Sequence, residues 1–395
     1  MSKELINFNT KISIFLSFLI LNSFIILFLK LPTDLLKLNI IVFFTVFFIF
    51  YLKYYKFNFS LKLYFFLILI ICVGSPAINW DLRSIYLFHA KRIFFDGSIF
   101  SVADNYATFS NNDYPPLLST FSASFSFLLG SWNENFSKIS FVFIYLPPLI
   151  FLSSYFNNKK YLVLLSVIIF FIGQYLYNGG ADGILSIYFI TCAFCFYQIF
   201  IKKNSEIIDT RFYLITLLFC TCLSLIKNEG LALLLIIFVT TVLCNIFQKS
   251  IHQNLKKIFS LSICFIPMLL WKYFCYKNNI ENLFLNSNSL DIIFSRIYDL
   301  KNYILFFDYF FISNEKFIIS LAIFLISFNI NFNKKLFYFS TILFISYLVV
   351  ILLVHFSSPL DLKFQLHTTS FRIVKTFTLL LSFFGLYNLN LKLLK

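Results

Sequence analysis

Apolar runs of about 15 to 20 residues, long enough as helices to cross the hydrocarbon of a bilayer, recur along the chain between short basic or irregular breaks. They fall at 12–29, 37–54, 61–77, 116–131, 139–155, 161–177, 184–201, 212–228, 230–247, 258–276, 317–331, 336–354 and 374–390. The expected fold is therefore all-α, a polytopic transmembrane bundle of about 12–13 spans, with residues 1–395 as one membrane domain. No internal repeat, low-complexity segment or appended soluble domain interrupts it. The first run follows a short basic N-terminus, is too long for a signal-peptide core and lacks a small-residue cleavage site, so it is expected to stay as a signal anchor.

Three longer breaks, 78–115, 277–316 and 355–373, do not fit the apolar pattern. In the first, a helical wheel places Asp81, Ser84, His89, Lys91, Arg92 and Asp96 on one half, with Leu82, Tyr86, Leu87, Ala90, Ile93 and Phe94 on the other. Arg83 on the apolar side and Ile85, Phe88 and Phe95 on the polar side blur this division. The pattern predicts an amphipathic juxtamembrane helix lying on the membrane surface. The 277–316 break, rich in acids, amides and aromatics, allows a second such helix with Asp291, Arg296, Asp299, Asp308 and Tyr309 toward a cavity, or a solvated connector.

Composition agrees with this class: 60% of residues are hydrophobic, 22% aromatic and only 12% charged, so one soluble core cannot bury the apolar surface. The net charge of +15 is carried by short loops. Lys53/Lys56/Lys62, Lys159/Lys160, Lys202/Lys203/Arg211, Lys249/Lys256/Lys257, Lys334/Lys335 and Lys392/Lys395 mark the cytoplasmic side. Among the acids only Glu4, Glu206 and Asp209 fall there, and the irregular breaks face the other way. One stretch resists: two spans within 116–156 would put Lys159/Lys160 outside unless one helix is half-buried or re-entrant, and the sequence leaves that parity open. The charge is explained by anchoring beside anionic lipid, and nucleic acid is not an expected partner.

Gly-x-Gly-x-x-Gly, Walker A and Asp-x-Asp elements are missing, which removes the usual nucleotide and nucleotide-sugar cradles. The eight Cys lie within or beside apolar segments; Cys192-x-x-Cys195 has no second ligand pair, so neither zinc nor a redox dithiol is supported.

The order Trp80-Asp81-x-Arg83, Phe88-His89-Ala90-Lys91, Asp96-Gly97, Tyr114-Pro115-Pro116-Leu117 resembles the first extracytoplasmic loop of bacterial GT-C-type glycosyltransferases, the integral-membrane group that includes protein mannosyltransferases and lipid A aminoarabinose transferases. Gly179-Gly180-Ala181-Asp182-Gly183 resembles that group's Ala-Asp turn, and Lys227-Asn228-Glu229-Gly230 its Lys-Asn-Glu-Gly element. Ser358-Pro359-x-Asp361-Leu362, with Thr368 and Arg372, is similar to its C-terminal loop, although Phe364, Gln365 and Thr369 stand where the group carries Trp, His and Ser. About forty positions carry the resemblance.

The resemblance implies transfer of a sugar from a polyprenyl-phosphate donor to an acceptor hydroxyl on the extracytoplasmic face of a bacterial inner membrane. Such chemistry needs a base for the incoming proton and cations for the departing phosphate. Asp81 is then the candidate base, with inversion at the anomeric carbon; at a helix start it also serves the helix dipole, the alternative reading of that residue. Arg372 is the candidate phosphate partner, able to grip it bidentately, with Lys227, Arg83, Lys91 and Tyr114 as further donor-binding candidates. Asp182, Glu229 and Asp361 are candidates for positioning sugar or acceptor hydroxyls, and His89 reads as an interfacial polar residue. Tyr114-Pro115-Pro116 equally suits a loop end and helix start, Lys227/Glu229 a rim salt bridge, and Arg372 a snorkelling cation. The Trp-Trp-Asp element and soluble domain of the metal-dependent oligosaccharyltransferases are not found, so no metal or cofactor is expected. Membrane lipids are expected partners, and the acceptor, whether glycan, lipid or protein, is left open. A transporter or flippase of lipid-linked sugars is the alternative, but it would place polar groups near mid-bilayer; a polysaccharide polymerase or ligase would carry its richest loop late in the chain.

Overall fold

A chain this apolar satisfies its backbone polar groups within each segment, which in lipid means helix. The computed structural model describes residues 3–53, 59–76, 79–156, 158–173, 180–202, 210–280 and 289–392, and all regular structure among them is helical. Gly179, Lys56, Lys203, Glu206, Asp209 and Lys395 lie outside the described residues.

The helices are α1 (Lys3–Phe28), α2 (Asp34–Lys53), α3 (Phe59–Gly74), α4 (Leu87–Asp96), α5 (Leu117–Leu129), α6 (Glu134–Ser153), α7 (Lys159–Gly173), α8 (Ala181–Phe196), α9 (Thr210–Ile226), α10 (Asn228–Phe247), α11 (Ile251–Leu261), α12 (Ile266–Lys277), α13 (Ser289–Ile297), α14 (Leu300–Phe307), α15 (Glu315–Ile330), α16 (Lys334–Ser357) and α17 (Leu362–Lys392). Each apolar run read from the sequence is represented by a helix. Among the described residues seven stretches are long and apolar enough to cross a membrane, or eight if the pair Leu300–Ile312 and Glu315–Ile330, bent by 75°, forms one. The chain is a multi-pass membrane protein.

The bundle has two chemically distinct ends. At one end Asn390 accepts from the Asn158 amide (3.2 Å) and donates to the Tyr155 carbonyl (3.0 Å), while Asn388 donates to the Asn331 carbonyl (2.7 Å). Gln198 donates to the Tyr387 hydroxyl at 2.8 Å and Lys202 reaches it at 3.4 Å. These contacts gather the α6–α7, α8 and α15–α16 ends around the end of α17, and with them Lys159, Lys160, Lys202, Lys334, Lys335 and Lys392. Asp182, Glu229 and Arg372 stand twenty residues along their helices from Lys202, Lys249 and Lys392. That is about 30 Å at 1.5 Å per residue, one hydrocarbon thickness.

This polarity bears on the parity of 116–156. Ser122 bonds Ser140 (2.6 Å) and Ser126 bonds Ser137 (2.7 Å), so α5 and α6 are antiparallel. Because α6 ends beside Tyr155 at the basic end, α5 must run away from that end. It begins inside the bundle, behind the wholly buried stretch 110–116, with Phe121 against Phe43 in the middle of α2. Its thirteen residues make about 20 Å, too little for a crossing. Within the segment α6 is therefore the helix long and apolar enough to cross, and Lys159/Lys160 lie at the basic end.

The break at 78–115 folds back on the bundle. A π-helical turn, Leu82–Tyr86, leads into α4, which buries Leu87, Ala90 and Ile93 and lays Phe94 against Phe127 and Trp132. Protein thus covers much of the apolar face expected on the membrane surface. His89, assigned to the polar half, is instead buried: its Nε2 bonds Asn112 Oδ1 at 2.9 Å. Asn112 Nδ2 donates to the carbonyls of Asp104 and Tyr106, which fixes Oδ1 as acceptor and Nε2–H as donor. Periodicity missed this because a short helix under a folded loop is covered on both sides. Arg92 grips Asp104 with both terminal nitrogens (2.6 and 3.1 Å) and also donates to the Ser101 carbonyl, holding that loop. In the 277–316 break Arg296 donates to the carbonyls of His355, Ser358 and Leu360 at the end of α16, and Asp299 caps α14.

Candidate functional site

Five segments distant in sequence deliver their ionisable groups to one place. Asp81 comes from the turn before α4, Asp182 from the first turn of α8, Lys227 and Glu229 from the α9–α10 junction, Arg372 from α17 and Tyr114 from the buried loop before α5. Arg372 binds both acids at once, Nε to Asp182 Oδ2 at 2.7 Å and Nη2 to Asp81 Oδ2 at 2.5 Å. Lys227 lies 3.3 Å from Asp182 and 2.8 Å from Glu229, and its amine stands 5.8 Å from the centre of the Tyr114 ring. Three carboxylates and two cations thus form one chain of contacts, Asp81–Arg372–Asp182–Lys227–Glu229.

Local structure explains each placement. Asp182 and Glu229 occupy first turns of long helices, where negative charge is favoured. Lys227 precedes α10 in an extended conformation (φ −162°, ψ 160°), which turns its side chain away from the helix it starts. Gly230 lets the junction close: a Cβ there would collide with the backbone carbonyl oxygen of Leu223 on α9. Arg372 lies ten residues into α17, so the first turns of α17 rise beyond the cluster as a wall.

The Asp81 and Asp182 side chains are 14% and 15% exposed and that of Glu229 50%, so the cluster is desolvated at one side and open at the other. Burial pushes the Asp81 carboxyl above the usual carboxylate range, more than Arg372 and Lys227 hold it down. A raised carboxyl is better matched to accepting a proton near neutral pH.

The remaining sequence candidates lie apart. Arg83 and Lys91 are exposed. Asp361 is exposed too; it accepts from the Phe364 amide at 2.8 Å and so caps α17.

Sequence reading passed over a second group beside the first. Asp113, 5% exposed, accepts from Lys272 on α12 (2.7 Å) and from Asn228 (2.8 Å), and its carbonyl accepts from Trp271 (3.1 Å). It ties the buried loop to α12 and to the residue after Lys227. Lys375, one turn below Arg372, was also missed and is 8% exposed. The available signal was a cation inside an apolar run, for Lys272 in 258–276 and for Lys375 in 374–390.

Comparison of the chain with protein families, curated protein sequences and solved structures finds no match in any of the three.

Proposed function

We propose that this chain is a membrane glycosyltransferase of the GT-C type, moving a sugar from a polyprenyl-phosphate donor to an acceptor hydroxyl, metal-independent and inverting, with Asp81 as base. The observation that carries the reading is the meeting of Asp81, Asp182, Lys227, Glu229 and Arg372, about 30 Å from the basic end. Such a cluster at the membrane boundary is where the headgroup of a lipid-linked sugar rests. The transporter alternative calls for mid-bilayer polar groups, and this position disfavours it.

In this reading twelve crossings, α1 to α3, α6 to α10, α11–α12 together and α15 to α17, bring both termini to the cytoplasmic side of a bacterial inner membrane. The cluster then faces the extracytoplasmic side, with α4 as the juxtamembrane helix. The donor phosphate competes with Asp81 for the Arg372 guanidinium, which can hold phosphate bidentately. Asp81, released, takes the proton of the acceptor hydroxyl as its oxygen bonds to the anomeric carbon. The bond from that carbon to the phosphate oxygen breaks, and its electron pair leaves on the polyprenyl phosphate beside Arg372 and Lys227. Asp182 keeps both cations in place, and the half-exposed Glu229 meets sugar or acceptor hydroxyls.

The test is Asp81→Asn in purified protein, assayed with a panel of polyprenyl-phosphate sugars. Loss of a positioned base should lower turnover by about 10²–10⁴-fold. Undiminished transfer by the variant removes Asp81 from its role, and no transfer from any donor by the unsubstituted protein overturns the donor assignment.

A further inference from the structure

Resting on that reading, we propose that Lys375 is a second phosphate-binding cation, one that recognises the leaving polyprenyl phosphate after the sugar has gone. It follows Arg372 by three residues, so both side chains leave the same face of α17. The seam between α17 and α8 is pinned on either side of it. Arg372 bonds Asp182 above, and the Thr376 hydroxyl bonds Ser186 at 2.7 Å below, while Ser186 also donates to the Asp182 carbonyl (2.7 Å). Within this seam the Lys375 amine feels the charges of Asp182, Arg372, Lys316 and Asp81, and it stands 5.7 Å from the Phe371 ring centre. A cation nearly out of water at this depth is costly, and such residues are usually kept for function.

The reaction supplies the need for it. The donor is a phosphodiester with one negative charge; once the sugar–oxygen bond breaks, the phosphate holds the bonding pair and carries two. Asp81, already displaced from Arg372 by the donor, gains a proton at the same time and no longer competes for that cation. The charge that appears on the phosphate therefore faces Arg372 and, one turn below, Lys375. An aliphatic side chain at 375 would leave ground-state donor binding to Arg372 and Lys227 and remove the group that answers the second charge.

The experiment compares two probes bound to the purified full-length protein in detergent at about pH 7, where a phosphate monoester is mostly dianionic. One is a short-chain polyprenyl monophosphate, the other its methyl diester, a monoanion. Lys375→Met should weaken monophosphate binding about ten- to a hundredfold, the range for a lost charge-assisted hydrogen bond, and diester binding less than about threefold. Lys375→Arg should retain the preference for the dianion. Lys375→Gln replaces the Met variant where melting shows that the latter does not fold. Equal loss on both probes, or no loss on either, overturns the role of Lys375. Binding of neither probe by the unsubstituted protein overturns the lipid-phosphate reading itself, so the two failures are distinguishable.

Discussion

Asp182 should be the keystone of the cluster, and its substitution measures whether the contacts act as one network. Asp182→Asn keeps the shape but removes the charge shared by Arg372 and Lys227, at 2.7 and 3.3 Å. Breaking a fully buried pair costs about 3–5 kcal/mol, and an exposed pair contributes about 0–1 kcal/mol. Asp182 is 15% exposed, and the two cations keep Asp81 and Glu229, so the cost should be about 2–3 kcal/mol. Asp81 is as buried but has one ion-pair partner, so Asp81→Asn should cost less, about 1–2 kcal/mol. The double variant Asp182→Asn/Arg372→Gln should be less destabilised than the sum of its parts, with a coupling of about 1 kcal/mol or more. Equilibrium unfolding in mixed micelles, following midpoint and slope, reads the unsubstituted protein, the single variants at 81, 182 and 372, and the double variant. Additive effects at 182 and 372, or a smaller loss at 182 than at 81, would refute the network.

Burial pushes His89 down to about 4 while an unfolded imidazole titrates near 6.5. Below pH 6.5 the unfolded chain takes up a proton that the folded one refuses, so stability present above pH 6.5 is lost as pH falls toward 4, by about 3 kcal/mol in full; melting of His89→Gln between pH 7 and 5 should lack that loss. Gly230→Ala should cost several kcal/mol (about 3 or more) because its methyl meets backbone rather than a movable side chain, read as reduced yield and a lower melting point. Because α5 runs away from the basic end, Ser131→Cys should label with an impermeant maleimide from the same side as Asp104→Cys; labelling from opposite sides contradicts a re-entrant α5. The eight native cysteines are buried and should stay unlabelled.

Much of this arrangement was legible in the sequence, for different reasons in different parts. The helices were readable because lipid permits little else for a run such as 230–247. Asp81, Asp182, Lys227, Glu229 and Arg372 were readable because they stand in the motifs that carry the resemblance, in breaks between apolar runs that share one end of the bundle. What stayed hidden is what depends on contact rather than hydropathy. The run 116–131 is as apolar as a span, and only the serine pairs between α5 and α6 and the position of Tyr155 beside Asn390 reveal that it runs away from the basic end. Lys272 and Lys375 were absorbed into apolar runs because one cation barely changes a window average.

Asp361 marks the opposite limit. It shares the end of the bundle with Arg372 and belongs to the same sequence motif, yet eleven helical residues separate them, about 16 Å along α17. That is beyond the reach of both side chains together, so Asp361 caps the helix while Arg372 enters the cluster. Arg83 diverges from Asp81 for an angular reason: two residues apart on a helical turn place side chains about 200° apart, and with Asp81 facing Arg372 the other is left outward. Motif order and a common face place a residue near a site; the rise and the turn of the helix then decide whether it belongs to it.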